Sequence, residues 1–244
     1  MKSISIIYAY RNREIQRIRF SIESLQLQSS QNFEVIFVDY GSKKEITVEL
    51  RKLLSDYKFV KYFYLPVENL LWNKSKALNY GILKSISEYV FIADVDLIFH
   101  SGAILRLEKL KKPKIFQLFK LGYLGKKESE KLKNRYSFEQ LKPARFGDVN
   151  GMILTSKKAL MEVNGFDEFF HFYGAEDEDL FSRLESTGYN RRKSEEHLFY
   201  HNWHHSFSGS KDKILTKNPR LKNIMRINQR HFQRNRERGV VKPL

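Results

Sequence analysis

Apolar and polar positions change rhythm repeatedly through the first 110 residues, and each change marks an element. SISIIYAY (3–10) alternates apolar with small polar residues and predicts a strand. REIQRIRFSIESLQLQ (13–28) sets Ile15, Ile18, Ile22 and Leu25 at helical spacing. FEVIFVD (33–39) is an unbroken β-branched and aromatic run, the pattern of a strand covered on both faces, and YGS supplies a turn after it. Residues 44–56 predict a helix, and KFVKYFYLP (58–66) a strand stopped by Pro66. NKSKALNYGILKSI (73–86) predicts a helix and YVFIAD (89–94) a strand. Strands alternating with helices imply an α/β class with a doubly wound, mostly parallel sheet flanked by helices.

Beyond residue 110 the rhythm loosens. Residues 120–145 are basic and poor in periodic apolar positions, so a loop or short helix is expected there. NGMILTSKKALMEVNGF (150–166) predicts a short strand and a helix stopped at Gly165. EDEDLFSRLESTG (176–188) predicts a helix entered by acids and closed by Gly188. RLKNIMRINQRHFQRNRER (220–238) predicts a basic helix with only a partial apolar stripe, Leu221, Ile224, Met225 and Phe232. The chain shows no internal repeat and no low-complexity linker.

Composition narrows the class. Of 244 residues, 41% are hydrophobic and 14% aromatic, enough for a substantial core. No stretch approaches the roughly 20 apolar residues that cross a bilayer. The apolar run at the N-terminus is too short for a secretory signal, and the absence of cysteine excludes disulfides; a cytosolic protein is expected. The net charge of +16 is concentrated: residues 211–244 hold eleven Lys/Arg against two acids, and residues 120–145 eight against three. Such surfaces attract nucleic acid, anionic lipid or phosphorylated substrates, or serve solubility alone.

The candidate chemistry lies where predicted strands end, which is where open α/β sheets bind ligands. Arg11-Asn12-Arg13, Asp39 and the Asp94/Asp96 pair would share one edge. Arginine forks match diphosphate oxygens, and a carboxylate such as Asp39 accepts from a base or ribose. The first glycine is Gly41, so the glycine-rich opening loop of P-loop, dinucleotide-binding or sugar nucleotidyltransfer folds is lacking. Asp94 and Asp96 fall on one side of an extended segment, where both can reach one hard cation, and charges in such an apolar setting require a partner. In GAEDEDL (174–180) the acids either complement a helix dipole or include a general base, beside Tyr173 as a stacking platform. In HNWHHS (201–206), His201 and His204 can face one ion. Without cysteines a structural zinc is disfavoured, and mixed carboxylate–imidazole ligation suits manganese or a similar ion.

Taken together, AYRNRE (9–14), WNKSKALNYG (72–81), ADVDLI (93–98), RFGDVNGMILTSKKALMEVNGF (145–166) and YGAEDEDLFSRL (173–184) resemble the β-1,4-galactosyltransferase family of inverting GT-A glycosyltransferases. VDYGS (38–42) is closer to the broad family-2 glycosyltransferases. The resemblance implies a GT-A (Rossmann-like) domain over 1–210, with a nucleotide-binding half at 1–110 and an acceptor and catalytic half at 145–205. The basic helical segment 211–244 would be an extension.

It also implies roles. Arg11, Arg13, Asp39, Lys76, Asp94 and Gly147 would bind the donor. Asp96, His201 and His204 would hold Mn²⁺ (or Mg²⁺), with His205 a competing ligand. Asp177 would be the catalytic base, and Glu176, Tyr173 and Asp179 would bind the acceptor. Arg145 and Asp148 depart from the family pattern near the donor-sugar site. The implied activity is hexosyl transfer, Gal or GalNAc, from a UDP-sugar to a saccharide or lipid-linked saccharide during bacterial surface polysaccharide synthesis, by a cytoplasmic enzyme peripheral to an anionic membrane. No nucleic-acid partner is expected. The rival readings are a basic nucleic-acid-binding protein with structural acids and a non-catalytic sugar-binding module.

Overall fold

The structure is a computed structural model that describes residues 2–134, 136–204 and 219–238, with side chains at 149–150, 219–222 and 238 excepted. Four strands, β1 (Ile4–Tyr10), β2 (Phe33–Tyr40), β3 (Val60–Leu65) and β4 (Tyr89–Ala93), lie parallel in the order β3-β2-β1-β4. Three helices connect them, α1 (Ile15–Gln26), α2 (Lys44–Leu54) and α3 (Lys74–Lys84). This is the doubly wound half that the periodicity predicts. Every residue of β2 is buried, as its continuous apolar run requires.

Side-chain alternation sorts β1 between two cores. Ile4, Ile6, Tyr8 and Tyr10 pack with α1, α2 and α4 (Ala103–Leu110), whereas Ile7 packs with α3, α6 (Lys157–Glu162) and α7 (Glu176–Ser186). Helix α3 crosses close over β1 at Gly81, where a β-carbon would stand 2.4 Å from Ile7 Cγ2.

The second half continues the sheet with mixed direction. β7 (Pro143–Ser156) runs antiparallel to β4, and β6 (Ile115–Leu124) antiparallel to β7. β8 (Asn190–Ser194) and β9 (Phe199–His201) both pair parallel with β6, and β5 (Leu97–Phe99) pairs antiparallel with β9. The result is a curled, mixed sheet flanked by helices, the GT-A arrangement. Strands β5, β6, β8 and β9 have no counterpart among the expected elements.

Residues 120–145 hold the short helix that is one of the two expectations, but also strand at both ends, which is not expected. They complete β6, form α5 (Lys126–Glu130) and two single 3-10 turns, and enter β7. Leu124, Leu132, Phe138 and Leu141 are buried with Phe20, Ile98 and Tyr200, and Phe138 stacks on Tyr200 at 3.9 Å. Each short turn contributes one anchor, so no helical or strand period exists to be read. The basic helix expected near the C-terminus is present as α8 (Pro219–Arg238), and it packs on α7.

Candidate active site

At the carboxyl ends of β1 and β2, backbone and side chains are tied into a ledge. Arg11 donates to the carbonyls of Glu68 (2.6 Å) and Leu70 (2.7 Å) and lies 5.9 Å from the centroid of the Tyr40 ring. Asn12 adopts a left-handed backbone (φ 51), receives the Lys43 N–H and donates its own N–H to Ser42 Oγ. Arg13 is exposed and binds through its carbonyl to the Tyr10 hydroxyl. Asp39 is fully buried and accepts from the Ser42 N–H (2.9 Å), the Tyr62 hydroxyl (2.8 Å) and the Thr47 hydroxyl (3.3 Å). A base or ribose reaching Asp39 would join donors the fold already supplies.

The two aspartates after β4 meet different partners. Asp94 faces the Lys74 ammonium at 3.4 Å, beside Gly151 of β7. Asp96 is buried and hydrogen-bonds Arg17 of α1. Each carboxylate therefore has a cation from the protein itself, so their position in an apolar segment does not by itself demand a metal. The argument for an ion rests instead on the histidines. His201 Nε2 lies 3.6 Å from one Asp96 oxygen and His204 Nε2 3.7 Å from the other.

Sheet register builds this cluster. Leu97 is opposite His201 in the β5–β9 pair, and the Asn202 N–H donates to the Asp96 carbonyl at 3.1 Å. Ser129 of α5 then receives the Trp203 N–H at 2.8 Å, fixing the turn that carries His204. Burial works against ionisation of Asp96, but His201, Arg17 and His204 outweigh it and hold its carboxyl below the ordinary aspartate value.

The ligand atoms of Asp96, His201 and His204 lie within 4.8 Å of one another. Donors bound at about 2.0–2.6 Å to one ion lie no farther apart than about twice that distance, so the three fit a single divalent cation. The competing ligand His205 lies outside the described residues.

Asp177 enters from α7. The loop before it carries left-handed residues at Phe172 (φ 72), Gly174 (φ 101) and Ala175 (φ 73), which swing the helix N-terminus toward Lys74. Burial pushes the Asp177 carboxyl up, Lys74 opposes this, and Glu176, Asp94 and Glu178 add to it, leaving it at about 7. Burial works against the charge on Lys74, but Asp94 foremost, then Asp177 and Glu176, keep it protonated above the usual lysine range. Glu176 is buried beside Asp177, and Tyr173 stands 65% exposed at the rim.

Some expected residues sit elsewhere. Asp179 is 1% exposed, pairs with Arg183 at 2.8 Å and accepts from Asn235 at 2.7 Å, so it faces the interior and is not placed to meet an acceptor. Asp177 and Asp179 stand two residues apart, about 200° around α7, and so point to opposite faces; the run of like residues hid this. Lys76 is exposed and lines a cleft of about 380 Å³ with Tyr40, Leu70, Leu71, Asn73, Glu168 and His171; Lys74 is the lysine at the aspartates. Gly147 adjoins the Arg145 guanidinium, which covers the Tyr123 ring at 3.8 Å. Tyr123 in turn lies 5.6 Å from the His201 ring.

Sequence reasoning missed Arg17, Lys74 and Tyr123. Arg17 is buried whereas Arg19, on the other side of Ile18, is exposed, and the apolar spacing does not tell the two apart. Lys74 follows the Asn73 N-cap, whose side chain receives the Lys76 N–H at 2.8 Å, and so starts α3 at the sheet edge.

Comparison with known proteins agrees with this architecture. The sequence model for Glycosyl transferase family 2 matches residues 5–170. An uncharacterized glycosyltransferase of Rickettsia bellii is 37% identical over 106 residues, 43% of this chain and 14% of the relative. One from Rickettsia felis is 32% identical over 101 residues, 41% of this chain and 16% of the relative. The chain thus spans about one seventh of the length of these curated relatives. Among solved structures, S. aureus TarS has a TM-score of 0.62 at 16% identity, covering 83% of this chain and 37% of that one. The mannosyltransferase PcManGT from Pyrobaculum calidifontis, in complex with GDP-Man and Mn²⁺, has a TM-score of 0.58 at 15% identity, covering 82% and 56%.

Proposed function

The chain belongs to glycosyl transferase family 2, and on that premise we propose that it is a metal-dependent, inverting hexosyltransferase using UDP-galactose or UDP-N-acetylgalactosamine. The observation that carries this reading is the approach of Asp177 to Lys74 and Asp94, next to the Asp96–His201–His204 cluster. A base and a diphosphate site so arranged suit a single displacement at an anomeric carbon.

In this reading Asp177 accepts the proton of an acceptor hydroxyl as that oxygen attacks the anomeric carbon. The sugar–diphosphate bond breaks on the opposite side, and the nucleoside diphosphate leaves without needing a proton. Arg11, Arg13 and Lys74 supply positive charge near the phosphates, and Asp39 accepts from the base or ribose. Glu176 and Tyr173 hold the acceptor sugar, one by hydrogen bonds and one by stacking. A bound Mn²⁺ or Mg²⁺ would be held by Asp96, His201 and His204 and would neutralise charge developing on the departing diphosphate. Arg145 stands over Tyr123 near Gly147, so donor choice rests on that corner.

A donor screen with Mn²⁺ and product analysis tests the reading. Turnover with UDP-galactose or UDP-N-acetylgalactosamine, giving a product of inverted anomeric configuration, is expected. Turnover with GDP-mannose alone would contradict the donor assignment, and donor binding without any transfer would favour a non-catalytic sugar-binding module.

The basic surface suits a cytoplasmic enzyme resting on an anionic membrane, where a lipid-linked acceptor of surface polysaccharide synthesis would lie. Among the described residues no helix is long and apolar enough to cross a membrane. Each basic residue near such a surface contributes about 1 kcal/mol, screened by salt. Co-sedimentation with vesicles is expected to rise with anionic lipid and fall with salt; indifference to both removes the membrane from the account.

A further inference from the structure

Helix α8 lies beyond the residues matched by the family model, yet it grips the segment that delivers the catalytic acids. Asn228, His231 and Asn235 are spaced three and four residues apart, which puts all three on one helical face. The Asn228 side-chain amide donates to the His171 carbonyl (2.8 Å) and the Tyr173 carbonyl (3.3 Å). His231 Nε2 meets an Asp167 oxygen at 2.7 Å while its ring stacks on Phe169 at 3.8 Å. The Asn235 amide bridges the same Asp167 oxygen (3.2 Å) and Asp179 in the first turn of α7 (2.7 Å).

These contacts bracket the left-handed residues Phe172, Gly174 and Ala175. One clamp holds the loop's entry at Asp167, one holds its carbonyls at 171 and 173, and one holds the helix it feeds. Asn228 is 2% and Asn235 8% exposed, so the clamps are shielded from water that would otherwise compete for the same groups. A left-handed non-glycine residue is strained and persists only when its surroundings over-determine it. Within the loop, two of the three left-handed residues carry side chains, and α8 is the element that supplies much of that over-determination.

We propose that Asn228, His231 and Asn235 are positioning residues: α8 is a brace that holds loop 167–175 in its strained path and thereby sets where the N-terminus of α7 stands. The consequence for catalysis rests on the assignment of Asp177 as base; the consequence for the loop does not. Displacement of a reacting group by about 1 Å can cost on the order of 10²-fold in rate.

The test uses the full chain carrying Asn228→Ala, Asn235→Ala, and His231→Ala beside His231→Gln, which keeps a donor for Asp167. Backbone amide exchange across 167–179 is expected to quicken in the alanine variants while exchange in β1–β4 is unchanged. Transfer kcat is expected to fall about 10–100-fold with donor affinity within twofold of wild type, and His231→Gln is expected to recover most of the His231→Ala loss. Unchanged exchange in 167–179 would overturn the brace. Faster exchange throughout the sheet would also overturn it, because α8 would then support the whole fold. Faster local exchange with unaltered transfer would keep the brace and count against Asp177 as the base.

Discussion

Asp177→Asn is expected to lower transfer by about 10²–10⁴-fold while leaving donor affinity close to wild type. The amide preserves the shape of the side chain at the start of α7 but cannot accept the acceptor's proton. The pH dependence should identify the same group. Burial and neighbouring acids bring Asp177 to about 7, so the fraction able to act as base rises through neutral pH and levels off above it. In the wild type kcat/KM should climb about tenfold per pH unit below that point, and this limb should vanish in the residual activity of Asp177→Asn.

Stability should move the opposite way. The folded carboxyl holds its proton to higher pH than the unfolded one, so the associated stability is complete below about pH 4 and is lost as pH rises through about 7. Above pH 7 Asp177→Asn should therefore melt higher than wild type, since it removes a charge the fold disfavours. A variant that keeps turnover within tenfold of wild type, or one that melts lower at pH 8, contradicts the assignment.

The second large effect is expected at the histidine cluster. Asp96→Asn should reduce transfer by on the order of 10³-fold and abolish its response to added Mn²⁺, because an ion's contribution to transition-state charge is worth several kcal/mol. This substitution also weakens the buried contact with Arg17, and breaking such a pair costs about 3–5 kcal/mol. His201→Ala separates the two consequences, since His201 is not the counter-charge of Arg17. It should lose manganese dependence while folding normally. Activity of His201→Ala that still saturates with Mn²⁺ at the wild-type concentration would remove His201 from the site.

How much of this was legible in the sequence follows from what each signal depends on. The parallel half was readable because Ile15, Ile18 and Ile22, or the continuous FEVIFVD, bury a face whose period is local. β6 was not, although IFQLFKLGYL is rich in β-formers, because its pairing with β7, β8 and β9 is set by residues distant in sequence. The acids at 94 and 96 stood out, but what neutralises them did not: Arg17 and Lys74 come from helices whose contact with the strand ends requires the whole fold. In GAEDEDL the sequence could not say which acid faces outward. The structure turns Asp179 to Arg183 and Asn235, leaving Asp177 with Lys74. The roles of Asn228, His231 and Asn235 are not legible because an apolar stripe does not reveal that the buried face of this helix is partly polar.

The most direct measurement is titration of Mn²⁺ into the protein with UDP present, followed by calorimetry and by the electron spin resonance of the metal. Wild type should bind one ion per chain with imidazole nitrogen in its coordination shell, and both signals should disappear in His201→Ala and His204→Ala. An equal ion uptake by all three proteins, with no nitrogen coordination, would mean that Arg17 alone serves Asp96 and that the strand-end cluster is not a metal site.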